Sequence, residues 1–285
     1  MRGSVALACA LLACRPRAGS RDERFDAGPP TVDAPVIDAA PPTREVVPAP
    51  WSVQATGGAR LRVSALFCTR GTEPAPIVSF GGGWGMELVG GGNRAGARWT
   101  RPADLGVTAR GDGTVINCPW EPGVAAILGR GALDVEVPLG RASPVRVDTP
   151  AGRLIVTRGR GAVSVRATGS GRQAEVEVTT FGASARFWRV HQGAWRADEL
   201  AARGTARWRP AAPSLDAVLS AALREARRAL DEAPTDTSRA TASLWLGAAA
   251  AVMTARAPDL PPATCFDQWA ALQEQTNRLV PPLAR

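Results

Sequence analysis

The chain has 285 residues and a formal charge of +8, long enough for one or two packed domains with a real core. It contains no lysine, so all 34 basic residues are arginine, which excludes a lysine-bearing phosphate loop and Schiff-base chemistry. The arginines are spread along the chain without a run of five or six like charges, so the basic balance reads as a compositional bias and no nucleic-acid partner is expected.

The N-terminus, "MRGSVALACALLAC", has a positive start at Arg2 and an apolar run from Val5 to Ala13. That run is too short to span a bilayer and fits the apolar region of a signal peptide. Leu11-Leu12-Ala13-Cys14 resembles the lipobox of bacterial lipoproteins. The resemblance implies a signal peptide at 1–13, cleavage before Cys14, and lipid chains on that cysteine; the alternative is an ordinary secretory signal cut nearby. Arg15 stands where an aspartate would retain a lipoprotein in the inner membrane, so the expected location is the outer membrane, facing the periplasm. The lipid anchor would make the membrane itself a partner. Residues 14–50 are rich in proline, alanine and aspartate, cannot bury enough apolar area to fold, and read as a lipidated tether.

Cys9 leaves with the signal and Cys14 is lipidated, so Cys68, Cys118 and Cys265 remain, enough for one internal bridge in an oxidising compartment. The expected pair is Cys68 with Cys118, because both fall in the strand-rich region. No C-x-x-C pair exists and His191 is the chain's one histidine, so neither metal nor other cofactor is expected.

Residues 51–210 are a succession of short strands punctuated by glycine: "ARLRVSALF", "APIVSF", "GMELVG", "GTVIN", "ALDVEVPL", "SPVRVDT", "GRLIVT", "AVSVRA" and "QAEVEVTTF". Gly111-Asp112-Gly113 and Thr168-Gly169-Ser170-Gly171 read as turns between them. In the last two strands, alternation turns Val163, Val165, Val176 and Val178 inward and leaves Glu175 and Glu177 in water. A four-residue turn would set Val163 near Val176 and Arg166 near Glu175. Arg158-Gly159-Arg160-Gly161, a basic glycine stretch, reads as an inter-strand turn.

Residues 111–187 resemble a FecR-like domain, an exported β-rich module of the bacterial envelope. The resemblance rests on "GDGTVI", "GALDVEVP", "SPVRVDTPAGRLIV", "GAVSVRA" and "VEVTTFG", in that order. It departs at Gly159-Arg160-Gly161-Ala162, where the family has Gly-Thr followed closely by an aromatic. The resemblance extends to residue 59 if 59–110 belong to the same domain. The cytoplasmic segment and spanning helix of the family's sigma-factor regulators have no counterpart in this sequence.

Other constellations read as structural. Glu175 and Glu177 are two apart on a solvated strand face. "GASAR" (182–186) begins like a nucleophile elbow but ends in arginine, and His191 lies between Trp188 and Trp195 as a packed or edge residue. "GGGWG" (81–85) lacks dinucleotide-loop spacing. Trp84 and Trp99 are candidates for a sugar-stacking platform, weighed against capping a small core.

Residues 211–285 are helical. "PSLDAVLSAALREARRALDEA" has apolar residues at helical spacing with Ser214 as cap, and pairs Arg227 with Asp231 and Arg228 with Glu232. Further helices are expected at Ser238 to Arg256 and Ala263 to Val280, the last aligning Cys265, Trp269, Leu272 and Leu279. The whole reads as a mainly β chain, a FecR-like domain followed by a small α-helical bundle. Its expected role is non-catalytic binding or sensing, with another envelope protein or a cell-wall component as partner. The alternatives are a cell-wall or glycan-binding module and an uncharacterised hydrolase.

Overall fold

The structure is a computed structural model that describes residues 51–64, 68, 75–80, 85–101, 106–117, 124–137, 144–158, 161–168, 175–212, 214–256 and 260–279. Among these, the strands in chain order are β1 (Trp51–Thr56), β2 (Arg60–Ser64), β3 (Ile77–Phe80), β4 (Gly85–Val89), β5 (Gly96–Arg101), β6 (Gly106–Asn117), β7 (Val124–Val137), β8 (Val145–Thr149), β9 (Gly152–Arg158), β10 (Gly161–Thr168), β11 (Glu175–Phe181), β12 (Ser184–His191), β13 (Ala194–Leu200) and β14 (Arg203–Trp208). Three helices follow: α1 (Leu215–Arg227), α2 (Asp236–Arg256) and α3 (Pro262–Leu279). The chain is mainly β with a helical C-terminal part.

The sheet forks at its two longest strands. The first half of β7 pairs with the end of β6 and, in parallel, with β8; its second half pairs with the start of β6 and with β10. One wing runs β2-β4-β6-β7-β8-β9-β12-β13, the other β3-β1-β5-β6-β7-β10-β11-β14. The corner lies where both long strands change register, between Arg110 and Val115 on β6. Gly111, Gly113 and Gly131 all have positive φ there. A Cβ at Gly131 would sit 2.1 Å from Thr114 Oγ1, so glycine is required. Thr114 Oγ1 donates to the carbonyls of Arg110 and Gly111, and Arg130 Nε donates to the carbonyl of Gly113. Gly111-Asp112-Gly113, expected to be a turn between strands, is therefore a bulge inside one strand.

The wings enclose one core of alternate residues from both, including Leu61, Leu88, Val107, Leu128, Leu133, Leu154, Val178 and Phe187. Val115 and Ile127 point the other way and join a second core with the helices. α2 lies over this outer face, and its run of alanines permits close approach. A Cβ at Gly129 would meet the Ala255 backbone nitrogen at 2.6 Å. Residues 45–285 form one compact unit, in which the two cores lie on opposite faces of the sheet.

Several expectations are corrected. Cys68 bonds to Cys265, 197 residues away, not to Cys118. The physical reason is the docking of the helices on the sheet: it brings the start of α3 to the chain beyond β2, with Cα atoms 5.5 Å apart. Cys118 lies outside the described residues. Pairing of β10 with β11 ends at Thr168 and Glu175, so six residues lie between them and Arg166 faces Glu177 while Val163 faces Thr180. β9 and β10 belong to different wings; Gly159 and Arg160, at the centre of the expected turn, lie outside the described residues.

In the helices, the Ser214 side chain accepts from Ala217 N as expected, and Cys265, Trp269, Leu272 and Leu279 are all buried. The expected pairs at the end of α1 do not form. Its continuation, Arg228–Glu232, is π-helical and shifts the i, i+4 register. Arg228 instead lies 3.5 Å from Glu225, and Asp231 is 3.1 Å from Arg278 on α3.

Candidate binding surface on the last strands

β12 and β13 form a hairpin closed by Gln192 and Gly193, both at positive φ (50° and 77°). A two-residue loop of this kind matches the strand twist, and the X-Gly step was the signal for it in the sequence. Ala185 and Phe187 put one face of β12 in the core, so Arg189 and His191 continue that face beyond it.

There the face turns polar. Phe187 stacks on Trp208 of the other wing, with ring centroids 4.1 Å apart. Asp198, opposite Phe187 on β13, accepts from Arg189 Nε at 2.5 Å and Trp208 Nε1 at 2.9 Å through the same oxygen. The hydrogen bond from Arg189, joined by that from Trp208, holds the Asp198 carboxyl below its ordinary value, against a smaller opposing effect of burial. Arg189 Nη1 lies 3.1 Å from His191 Nδ1. A guanidinium only donates, so Nδ1 is the acceptor in this contact. Arg196 stands directly opposite Arg189.

The opposite face of the hairpin meets the helices. Trp195 makes an edge contact with Trp245 of α2 at 5.3 Å, and both pack against the helical core. Trp188 is the cross-strand neighbour of Arg153. Arg153 is buried and grips buried Asp148 through Nε at 2.5 Å and Nη2 at 3.0 Å, while its Nη1 donates to Ser243 Oγ of α2 at 2.9 Å. This ion pair is the polar seam between sheet and helix. A Cβ at Gly247 would lie 2.6 Å from Asp148 Oδ2, so the carboxylate sits against the helix backbone.

Residues singled out in the sequence fall elsewhere. Glu177 is ion-paired with Arg207 at 2.6 Å on the outer face. Ser184 opens strand β12, with no strand-to-helix turn to present a nucleophile. Trp99 is buried in the core and offers no stacking platform. Cys14 and Trp84 lie outside the described residues. Among the described residues no group of three His, Cys, Asp or Glu side chains is placed to hold a metal ion. Arg189, Asp198 and Trp208 were missed as a set, because their meeting depends on how two wings of one sheet face each other.

No protein-family model matches the chain, and no curated protein matches it.

The arrangement supplies hydrogen-bond donors. The Asp198 carboxylate is shared between two donors and the near nitrogen of His191 is committed to Arg189.

Proposed function

We propose that this chain is an exported, lipid-anchored binding module of the bacterial envelope, with a FecR-like β domain braced by a helical layer and no catalytic role. The observation that carries the reading is the Cys68–Cys265 bridge, because disulfides persist in oxidising compartments. Leu11–Cys14 and the proline-rich tether agree with it, since a lipidated Cys14 would hold the folded part at a membrane surface, with the outer membrane as its place. Residues 111–187 fall on β6 to β12, which supports the FecR-like reading. Its partner is an envelope protein or cell-wall component met through the β12–β14 surface.

The reading is tested by expressing the full chain in a Gram-negative host and fractionating the cells. Recovery in the outer-membrane fraction, with Cys68 and Cys265 blocked to thiol reagents until reduced, supports it. Recovery in the cytoplasm with both thiols free overturns it.

A further inference from the structure

Arg189 and Arg196 face each other directly across the β12–β13 ladder. Like charges so placed repel at Cα separations of about 4.5–5.5 Å. One carboxylate, Asp198, stands with them, and it is taken up by Arg189 Nε and Trp208 Nε1. Arg189 Nη1 is held by His191, and its Nη2 makes no hydrogen bond among the described residues. Arg196 is exposed and has no hydrogen-bond or ion-pair partner among the described residues. The face therefore presents three uncommitted N–H hydrogens of an oriented guanidinium, two on Nη2 and one on Nη1 of Arg189, and one whole guanidinium from Arg196, on facing positions of two strands, with one positive charge in excess. Asp198 and His191 fix Arg189 in place, so its contribution is preorganised.

We propose that this hairpin binds an oxyanion, specifically a phosphoryl group carried by an anionic component of the envelope, bridged between Arg189 and Arg196. A phosphoryl group has three acceptor oxygens and matches the donor fork of arginine. The inference rests on the reading of the chain as a binding module and names the chemistry of its ligand. Arg203 is the natural control: it is exposed and unpartnered among the described residues, but its cross-strand neighbour is exposed Phe181 rather than a second cation.

The experiment uses the full chain carrying Cys14→Ser, so that lipid cannot mask binding, titrated with inorganic phosphate while the arginine Nε–H signals are followed by NMR. The expected result is saturable shifts at Arg189 and Arg196, with binding weakened about tenfold by Arg196→Gln and about twofold or less by Arg203→Gln. Absence of saturation, or equal loss in the two variants, overturns the proposal. The same proteins are then sedimented with phosphatidylcholine vesicles with and without phosphatidic acid. Retention that depends on phosphatidic acid and on Arg196 assigns the phosphoryl group to a lipid headgroup. Phosphate binding without retention assigns it to a non-lipid carrier such as a phosphorylated glycan. These titrations do not depend on where the protein resides, so their failure leaves the export reading standing.

Discussion

Removing either member of the buried Asp148–Arg153 pair strands a charge that the fold has desolvated. Both side chains are nearly inaccessible, at 3% and 6% exposure, and Ser243 satisfies a further guanidinium hydrogen. Breaking such a pair costs about 3–5 kcal/mol, because the remaining charge has no partner, whereas removing both charges costs far less. Asp148→Asn is the appropriate variant on one side, since the Gly247 backbone leaves no room for a larger group; Arg153→Met serves on the other. Each single variant should lower the urea midpoint by about 1–2 M, and the double variant should be no worse than either single, giving a coupling of about 3 kcal/mol. If the single variants lose less than about 1 kcal/mol, or their losses simply add, the seam is not a closed ion pair and does not hold α2 on the sheet.

Reduction of Cys68–Cys265 opens a loop spanning 197 residues. The chain-entropy estimate for that length is about 5 kcal/mol, at the top of the usual 2–5 range. A thermal midpoint lowered by about 10 °C is expected in calorimetry with reductant, and an unchanged midpoint would count against the bridge. Acid titration tests the Asp198 cluster. Its carboxyl is held below the ordinary aspartate value of 3.8 in the folded chain, so its stabilising contribution is fully present above that value and is lost as pH falls towards the lowered one. The stability gap between the wild-type chain and Asp198→Asn should therefore close below about pH 4; a gap that widens on acidification contradicts the geometry.

Much of the β architecture was legible because alternation is local. Val176 and Val178 face the core, and Glu175 and Glu177 do not, as side-chain alternation requires. What failed depended on tertiary placement. Gly111-Asp112-Gly113 carries the chemistry of a turn, but the same positive-φ glycines can bend a strand without ending it. Cys265 lies on a helix, and its bridge to Cys68 follows from α2 docking over the outer face of one wing and α3 packing against α1 and α2, which helical periodicity alone does not dictate. Trp99 has the composition of a ligand platform and the burial of a core residue. The cluster around Arg189 joins β12, β13 and β14, and only the register of the hairpin and the facing wing bring its members together.

Export, lipid anchoring and oxidation are tested together by mass spectrometry of the protein isolated from its own cells and digested without reduction. The expected result is an N-terminal peptide beginning at a lipid-modified Cys14, together with a linked peptide pair containing Cys68 and Cys265. An unmodified peptide beginning at Met1, with Cys68 and Cys265 recovered as free thiols, would contradict it.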